Sequence, residues 1–133
     1  RPLPMTTWLN LLTVATGGAV GSVCRYLMTV ASIAIPGGST LIGTTLVNLI
    51  GCAAIGGFAE VVLVTNSVSE RTQLLIRVGF LGGLTTFSTF AGESAALADE
   101  GRWLACGLYV AANMLLGWTA LVLTAMLVKG WLT

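Results

Sequence analysis

The sequence predicts an all-α membrane protein with four transmembrane helices per subunit, and three observations support this fold class. Of the 133 residues, 56% are hydrophobic and only 8% are charged, whereas a soluble domain has about a quarter charged residues. The apolar residues fall into four runs, which short polar or proline-glycine segments separate. Each run can supply the roughly 20 residues that a helix needs to cross the hydrocarbon core of a bilayer.

The boundaries of the four spans are marked in the sequence. Pro36-Gly37-Gly38 ends the first run, "TNSVSER" separates the second run from the third, and "DEGR" separates the third from the fourth. Proline and glycine interrupt helices, and charged connections belong outside the hydrocarbon core. We therefore predict one transmembrane domain over residues 1–133, with spans at about 8–34, 40–64, 73–98 and 103–128.

The first span carries "GGAVGSVCRY", in which Gly17, Gly21 and Arg25 share one helical face. Small residues at this spacing are typical of close helix packing in membranes. Arg25 lies late in the span, where its long side chain can snorkel or pair at a water-filled vestibule. A cation at the mouth of a pore would concentrate anions.

The second span places Thr40, Thr44, Asn48 and Gly51 on one face. An amide near mid-membrane needs hydrogen-bond partners, because lipid supplies none. These residues leave two interpretations of Asn48 open. It is either a tether between helices or a donor along an ion pathway, since its NH2 group offers two hydrogens.

The third span contains "GGLTTFSTF", which is poor material for a continuous helix. Glycine costs about 1 kcal/mol relative to alanine in a helix interior, and threonine and serine offer competing local hydrogen bonds. We therefore predict that this helix is broken mid-membrane. Irregular backbone is tolerated at that depth only inside protein or along a cavity.

Two aromatic residues follow the predicted break. Phe87 and Phe90 are three residues apart and share a face, interleaved with Ser88 and Thr89. Core packing is the ordinary role of such rings, but their weakly positive edges can also face an anion. Glu93, one turn further on, is expected either in an aqueous vestibule or paired with an arginine. The polar groups at mid-membrane are rich in donors and include no carboxylate, which favours a small anion as the ligand.

The fourth span repeats Tyr109, Asn113 and Gly117 at four-residue intervals. Tyrosine near a helix end is often only an interfacial anchor, whereas Asn113 deeper in the span favours a polar stripe. The residues alone leave both interpretations open.

Together these motifs resemble the Fluc (CrcB-type) family of bacterial fluoride channels. The resemblance covers all four spans through "GGAVGSVCRY", "GTTLVNLIGC", "GGLTTFSTFAGE" and Tyr109. It implies a dual-topology homodimer of two antiparallel subunits with two fluoride pores, located in the bacterial inner membrane. The partners that it implies are fluoride, membrane lipid and a second copy of the chain. The net charge of +1 gives no reason to expect nucleic acid as a partner.

The resemblance also implies roles for individual residues, carried over by motif position. It assigns the fluoride pore to Asn48, Phe87, Ser88, Thr89, Phe90 and Tyr109, and charged positions near the pore entrances to Arg25 and Glu93. It assigns the backbone carbonyls of Gly82 and Thr85 to a central structural sodium ion (Na+). From the residues alone, a water molecule is an alternative partner for these carbonyls.

The charges that flank the spans are nearly balanced between the two sides of the membrane. One side holds Arg1, Arg71, Arg77 and Lys129, and the other holds Arg25 and Arg102. Because arginine and lysine set the orientation of a membrane protein, a balanced chain can insert in either direction. A single orientation with a modest bias is equally compatible with the composition.

Other functional classes are weighed against the same residues. The main alternative is a proton-coupled exporter of the small multidrug-resistance type, but such a carrier needs a membrane-embedded carboxylate, and Glu60 and Glu93 lie toward helix ends. A third class is an assembly subunit that transports nothing. The sequence has no histidine, three dispersed cysteines and no visible nucleophile–base pair, which argues against an enzyme and against a zinc site.

Overall fold

The structure, a computed structural model, describes residues 8–133, so the flanking charge at Arg1 lies outside the described residues. Every element in this part of the chain is helical, which confirms the all-α prediction. Four helices are long and apolar enough to cross a membrane, and we call them the first to fourth spans: Trp8–Ala34, Thr40–Thr65, Glu70–Asp99 and Trp103–Leu132. The third begins at Glu70 rather than at 73, and the fourth ends at Leu132 rather than at 128.

Local capping explains where the helices begin and end. The Ser39 side chain accepts a hydrogen bond from the Ile42 amide at the start of the second span. Ser69 caps the third span in the same way through the Thr72 amide, and this cap extends the helix into the polar connection. Asn66 ends the second span in the left-handed conformation, with φ 47°, which asparagine tolerates better than most residues.

The third and fourth spans are not uniform α-helices. The third consists of Glu70–Gln73, a π-helical segment Leu74–Leu81, a short helix Gly82–Leu84 and a second helix Phe87–Asp99. The fourth consists of Trp103–Ala111, a π-helical segment Ala112–Leu116 and Gly117–Leu132. π-helical turns are rare and occur mostly at functional sites. These two segments therefore indicate a functional site near the first half of the third span and the middle of the fourth.

The spans pack in alternating order along the chain. The second packs most extensively against the end of the fourth, and the first packs against the π-helical segment of the third. Thr124 of the fourth span donates a hydrogen bond to the Ala53 carbonyl of the second at 2.8 Å. Such interhelical bonds and close packing hold helices together in lipid, where the hydrophobic effect does not.

Glycines make the contact between the first and third spans very close. Gly17 and Gly21 are both buried. A Cβ atom at Gly21 would overlap the Phe80 carbonyl oxygen and lie 2.9 Å from the Leu84 amide nitrogen. A Cβ atom on the facing Gly79 would lie 2.9 Å from the Val14 carbonyl oxygen. The packing role of the first-span glycines therefore follows from backbone-to-backbone contact.

The buried core is small, and it lies beside the interrupted part of the third span. One buried cluster contains Val47, Leu81 and Leu84, and a second contains Phe90, Leu97 and Tyr109. Many other large apolar side chains are exposed on the protomer. This distribution is expected of a chain whose surface faces lipid or another subunit.

Substitution of Gly21 by alanine is expected to destabilise the protein by about 1–3 kcal/mol, because the methyl group would force the first and third spans apart. Unfolding of the purified protein in detergent measures the effect. Gly18→Ala is the matched control on the same helix, since its Cβ atom would meet only the Gly79 carbonyl at 3.8 Å. Equal stability of the two variants would contradict the close contact.

Candidate functional site

The backbone of the third span leaves the helical conformation at two residues. Thr85 has φ −81° and ψ 157°, and Thr86 has φ −150° and ψ 118°, so both are extended. They lie within the stretch where the sequence predicts a break. In a continuous helix the Thr86 amide would bond to the Gly82 carbonyl, but here it donates to Oδ1 of Asn48 at 2.8 Å.

Asn48 of the second span takes the place of the missing helical partners. Its Oδ1 accepts from the Thr86 amide, and its Nδ2 donates to the Thr86 carbonyl at 3.2 Å. The same Nδ2 also donates to Oδ1 of Asn113 at 3.0 Å. Both amide hydrogens of Asn48 therefore have protein acceptors, which is the tether that the sequence leaves open as one interpretation.

The hydrogen bonds between Asn48 and Thr86 form a clasp between the second and third spans, and Asn113 connects this clasp to the fourth span. Its side chain is buried, with 6% of its surface exposed, and it lies in the π-helical segment Ala112–Leu116. Its Nδ2 donates to Oγ1 of Thr45 and to the Tyr109 carbonyl, both at 3.1 Å. Tyr109 and Gly117 are buried as well, so the four-residue stripe of the fourth span faces the bundle interior.

Thr86 also starts the second half of the third span. Its Oγ1 accepts from the Thr89 amide at 3.2 Å, which caps the helix Phe87–Asp99. The same hydroxyl donates to Oγ1 of Thr89 at 3.0 Å. Ser88 and Thr89 are exposed on the protomer, so their hydroxyls lie beside the break at its surface.

Three aromatic rings form a row beside the break. Phe87 and Phe90 have ring centroids 5.5 Å apart at 55°, and Phe90 and Tyr109 have centroids 5.5 Å apart at 46°. Tilted rings at this distance direct edges at faces. Phe90 is 6% exposed, whereas Phe87 is 71% exposed, so the row leads from the interior to the protomer surface.

The two predicted vestibule charges line the same cleft but do not bond to each other. Nη1 of Arg25 donates to the Thr85 carbonyl at 3.2 Å. Oε2 of Glu93 accepts from the Tyr109 hydroxyl at 2.6 Å. Glu93 lines this cleft, and its place in an aqueous vestibule stays a prediction. The only ion pair in residues 8–133 joins Arg102 and Glu100, so Glu93 does not pair with an arginine within the described protomer.

Thr86 lines two clefts. The first has a volume of about 350 Å³. Its lining includes the two asparagines, the two phenylalanines and the backbone around the break: Asn48, Gly82, Thr85, Thr86, Phe87, Phe90 and Asn113. The second, of about 370 Å³, is lined by polar residues that include Arg25, Thr44, Thr86, Thr89 and Glu93. Thr86 borders both clefts, and it was not among the predicted site residues.

Gly82 and Thr85, where the resemblance implies a cation, carry backbone carbonyls, which belong to the oxygen ligands that hard cations take. In residues 8–133, no three His, Cys, Asp or Glu side chains come together as a metal site. The extended backbone at Thr85 leaves its carbonyl outside the helical pattern, and Arg25 uses one of the two lone pairs of that oxygen. Gly82 is exposed on the protomer, so a second copy of the chain can reach its backbone.

Comparison with known proteins supplies a family match. The family model "CrcB-like protein, Camphor Resistance (CrcB)" matches residues 12–125. A protein of Rhodopirellula baltica named "Fluoride-specific ion channel FluC" is 39% identical to the chain, covering 96% of the chain and 99% of that protein. Proteins of the same name from Rhizobium etli and a Shewanella species are 42% and 43% identical, covering 80% and 79% of the chain and 85% and 84% of those proteins.

Substitution of Asn48 by leucine is expected to destabilise the protein by about 3 kcal/mol, because two backbone groups of Thr86 lose their partners inside the membrane. Chemical unfolding in detergent measures the change. Ser94→Ala is the control, since Oγ of Ser94 bonds only to the Phe90 carbonyl of its own helix. A leucine variant as stable as the control would mean that Thr86 does not depend on the clasp.

Proposed function

The chain belongs to the CrcB family, and on this premise we propose that it is a fluoride-selective ion channel that lets fluoride cross the membrane passively. It is a transporter rather than an enzyme. Four apolar helices make it a multi-pass membrane protein, and we propose the bacterial inner membrane as its location. Export of fluoride from the cell then follows the gradient of the ion.

The observation that carries the proposal is the convergence of two clefts on Thr86, at a helix interruption surrounded by hydrogen-bond donors. Fluoride is small and strongly hydrated, so its water must be replaced by close donors. The hydroxyls of Ser88 and Thr89, the ring edges of Phe87 and Phe90, and the amide of Asn48 supply such donors at successive positions. Several moderate binding positions are what conduction requires, since a single strong site would trap the ion.

The second cleft is lined by one positively charged and one negatively charged side chain. Arg25 lines this cleft and carries a permanent positive charge. The carboxylate of Glu93 lies in the same cleft, where it accepts the hydrogen of Tyr109. We propose that Arg25 raises the local anion concentration and that Glu93 limits how tightly an anion is held there.

We propose that two copies of the chain form the channel as an antiparallel homodimer. A single protomer leaves Phe87 71% exposed, and Gly82 and the hydroxyls beside the break are exposed as well. A second copy would cover these surfaces and close the pathway. The balanced flanking charges support opposite orientations, and the two-fold symmetry of a dimer would give two equivalent pores.

We further propose that the Gly82 and Thr85 carbonyls of both copies hold one structural sodium ion. Backbone carbonyls at interrupted membrane helices bind sodium in other membrane proteins. One protomer offers two such oxygens, so the cage would need the second copy. The ion would neutralise carbonyl dipoles at the subunit contact and take no part in conduction.

Phe87→Ile and Phe90→Ile are each expected to lower fluoride flux strongly, because isoleucine fills space but presents no ring edge to the ion. Flux from liposomes that contain purified protein, read with fluoride and chloride electrodes, measures the effect, and size-exclusion chromatography checks the dimer. Normal flux in both variants would remove the rings from the pathway. Efflux of a cationic drug driven by a proton gradient would instead support the small multidrug-resistance type.

A single cysteine at the C-terminus is expected to react from both sides of the membrane if the dimer is antiparallel. The variant Thr133→Cys is made after Cys24, Cys52 and Cys106 are replaced, and intact cells are treated with a membrane-impermeant thiol reagent before and after permeabilisation. About half of the protein should react before permeabilisation. Complete labelling or complete protection at that stage would contradict the two orientations.

Gly82→Val is expected to impair dimer assembly and fluoride flux, whereas Thr85→Ser should keep both, because the proposed sodium ligands are main-chain atoms. Within the described protomer, a Cβ atom at Gly82 meets only the Arg77 carbonyl, at 3.7 Å, so damage by valine would arise at the second copy. Flux is also measured for protein prepared without sodium or a replacement ion. Normal flux in that preparation would favour water at these carbonyls over sodium.

A further inference from the structure

We propose that Asn113 is a positioning residue of the fluoride pathway, which fixes the orientation of the Asn48 amide at the interrupted third span. The inference rests on the proposed function and deepens it, because it names a residue that acts on the ion through another. The fold gives Asn113 a buried place in the π-helical segment of the fourth span, directly against Asn48.

The hydrogen bonds around Asn113 have a fixed direction. The Tyr109 carbonyl can only accept a hydrogen, and it takes one from Nδ2 of Asn113 at 3.1 Å. Oγ1 of Thr45 has committed its own hydrogen to the Leu41 carbonyl at 2.8 Å, so it accepts the second hydrogen of Nδ2 at 3.1 Å. Two acceptors thus hold the nitrogen end of the Asn113 side chain, and its oxygen end must face Asn48.

This direction matches the orientation that the Thr86 backbone gives to Asn48 and adds a third hydrogen bond that holds it. An amide side chain offers similar shapes in two orientations that differ by a half-turn. Because Asn113 presents an oxygen, Asn48 presents Nδ2 to it, at 3.0 Å. Oδ1 of Asn48 is then free to accept from the Thr86 amide at 2.8 Å. The reverse orientation would place N–H against N–H and leave buried groups without partners.

The same arrangement bears on selectivity. Asn48 and Asn113 line one cleft together with Phe87 and Phe90. An anion that takes a hydrogen from Asn48 must compete with Oδ1 of Asn113 or with the Thr86 carbonyl. Fluoride is a much stronger hydrogen-bond acceptor than chloride, so a donor already held by an amide oxygen favours fluoride. If Asn113 no longer holds that donor, discrimination against chloride should fall.

The test uses threonine substitutions at two places in the contact between the second and fourth spans. Thr45→Val keeps the shape of the side chain but removes the acceptor of Asn113, and Thr45→Ser restores a hydroxyl. Thr124→Val is the matched control, because Thr124 joins the same two spans through the Ala53 carbonyl and its other hydrogen bonds go to carbonyls of its own helix. Each purified dimer is reconstituted into liposomes, and fluoride and chloride flux are measured.

Thr45→Val should lower fluoride flux on the order of tenfold, which corresponds to the loss of about one hydrogen bond, and should also lower the fluoride-to-chloride ratio. Thr45→Ser and Thr124→Val should conduct like the unchanged protein. Asn113→Leu should reproduce the effect of Thr45→Val more strongly. If Asn113→Leu does not assemble, the comparison between Thr45→Val and Thr124→Val decides.

Equal flux and equal selectivity in Thr45→Val and Thr124→Val would overturn the positioning role. A fall in flux with an unchanged fluoride-to-chloride ratio, matched by the same fall in Thr124→Val, would assign Asn113 to helix packing alone and overturn it as well. Failure of the unchanged protein to conduct fluoride would refute the proposed function instead, so the two failures are distinguishable.

Discussion

Backbone groups that leave a helix inside a membrane must find partners within the protein, and the rest of this structure depends on that constraint. The groups belong to Thr85 and Thr86, where the third span is extended. Lipid offers no hydrogen bonds, so each unsatisfied group would cost several kcal/mol. This is a large part of the net free energy of unfolding of a typical protein. Asn48 bonds to both the N–H and the carbonyl of Thr86, and Arg25 donates a hydrogen bond to the Thr85 carbonyl. The hydrogen bonds to Thr85 and Thr86 therefore fix the first, second and third spans relative to one another.

The groups that satisfy the interruption are also donors of the kind that the proposed fluoride pathway needs. In residues 8–133, every buried side-chain nitrogen or oxygen has a hydrogen-bond partner. The buried polar side chains around the interruption therefore bond to other groups of the protein. In the proposed pathway, an ion that reaches these buried side chains would exchange one hydrogen-bond partner for another rather than occupy an unpaired donor. Such exchange keeps the free energy of each step small, because a hydrogen bond is replaced and not simply made or lost.

Much of the fold and part of the candidate site could be predicted from the sequence. The four apolar runs and the packing face of Gly17 and Gly21 follow from length and periodicity, whereas the residues of the fourth span left its inward stripe as one of two interpretations. The polar partners do not, because they depend on the depth and rotation of one helix against another. Glu93, for example, faces Tyr109 and not an arginine.

Two further features lie outside what periodicity describes. The π-helical segments at Leu74–Leu81 and Ala112–Leu116 change the number of residues per turn, so a register counted at 3.6 residues drifts across them. Threonine in an apolar span has many roles, and Thr86 differs from the equally extended Thr85 by capping the helix Phe87–Asp99 and by bonding to Asn48 through its backbone. A serine or threonine just before the restart of a helix is the available signal, since these residues cap helices.

The alternating order of helix packing makes this short chain a single cooperative unit. The first span packs on the third and the second on the fourth, so both pairs are separated in the chain by the connection at Asn66–Ser69. During synthesis the glycine face of the first span stays uncovered until the third span has been made. The two most extensive helix pairs each take one span from either half of the chain, so a break in that connection would divide both pairs at once.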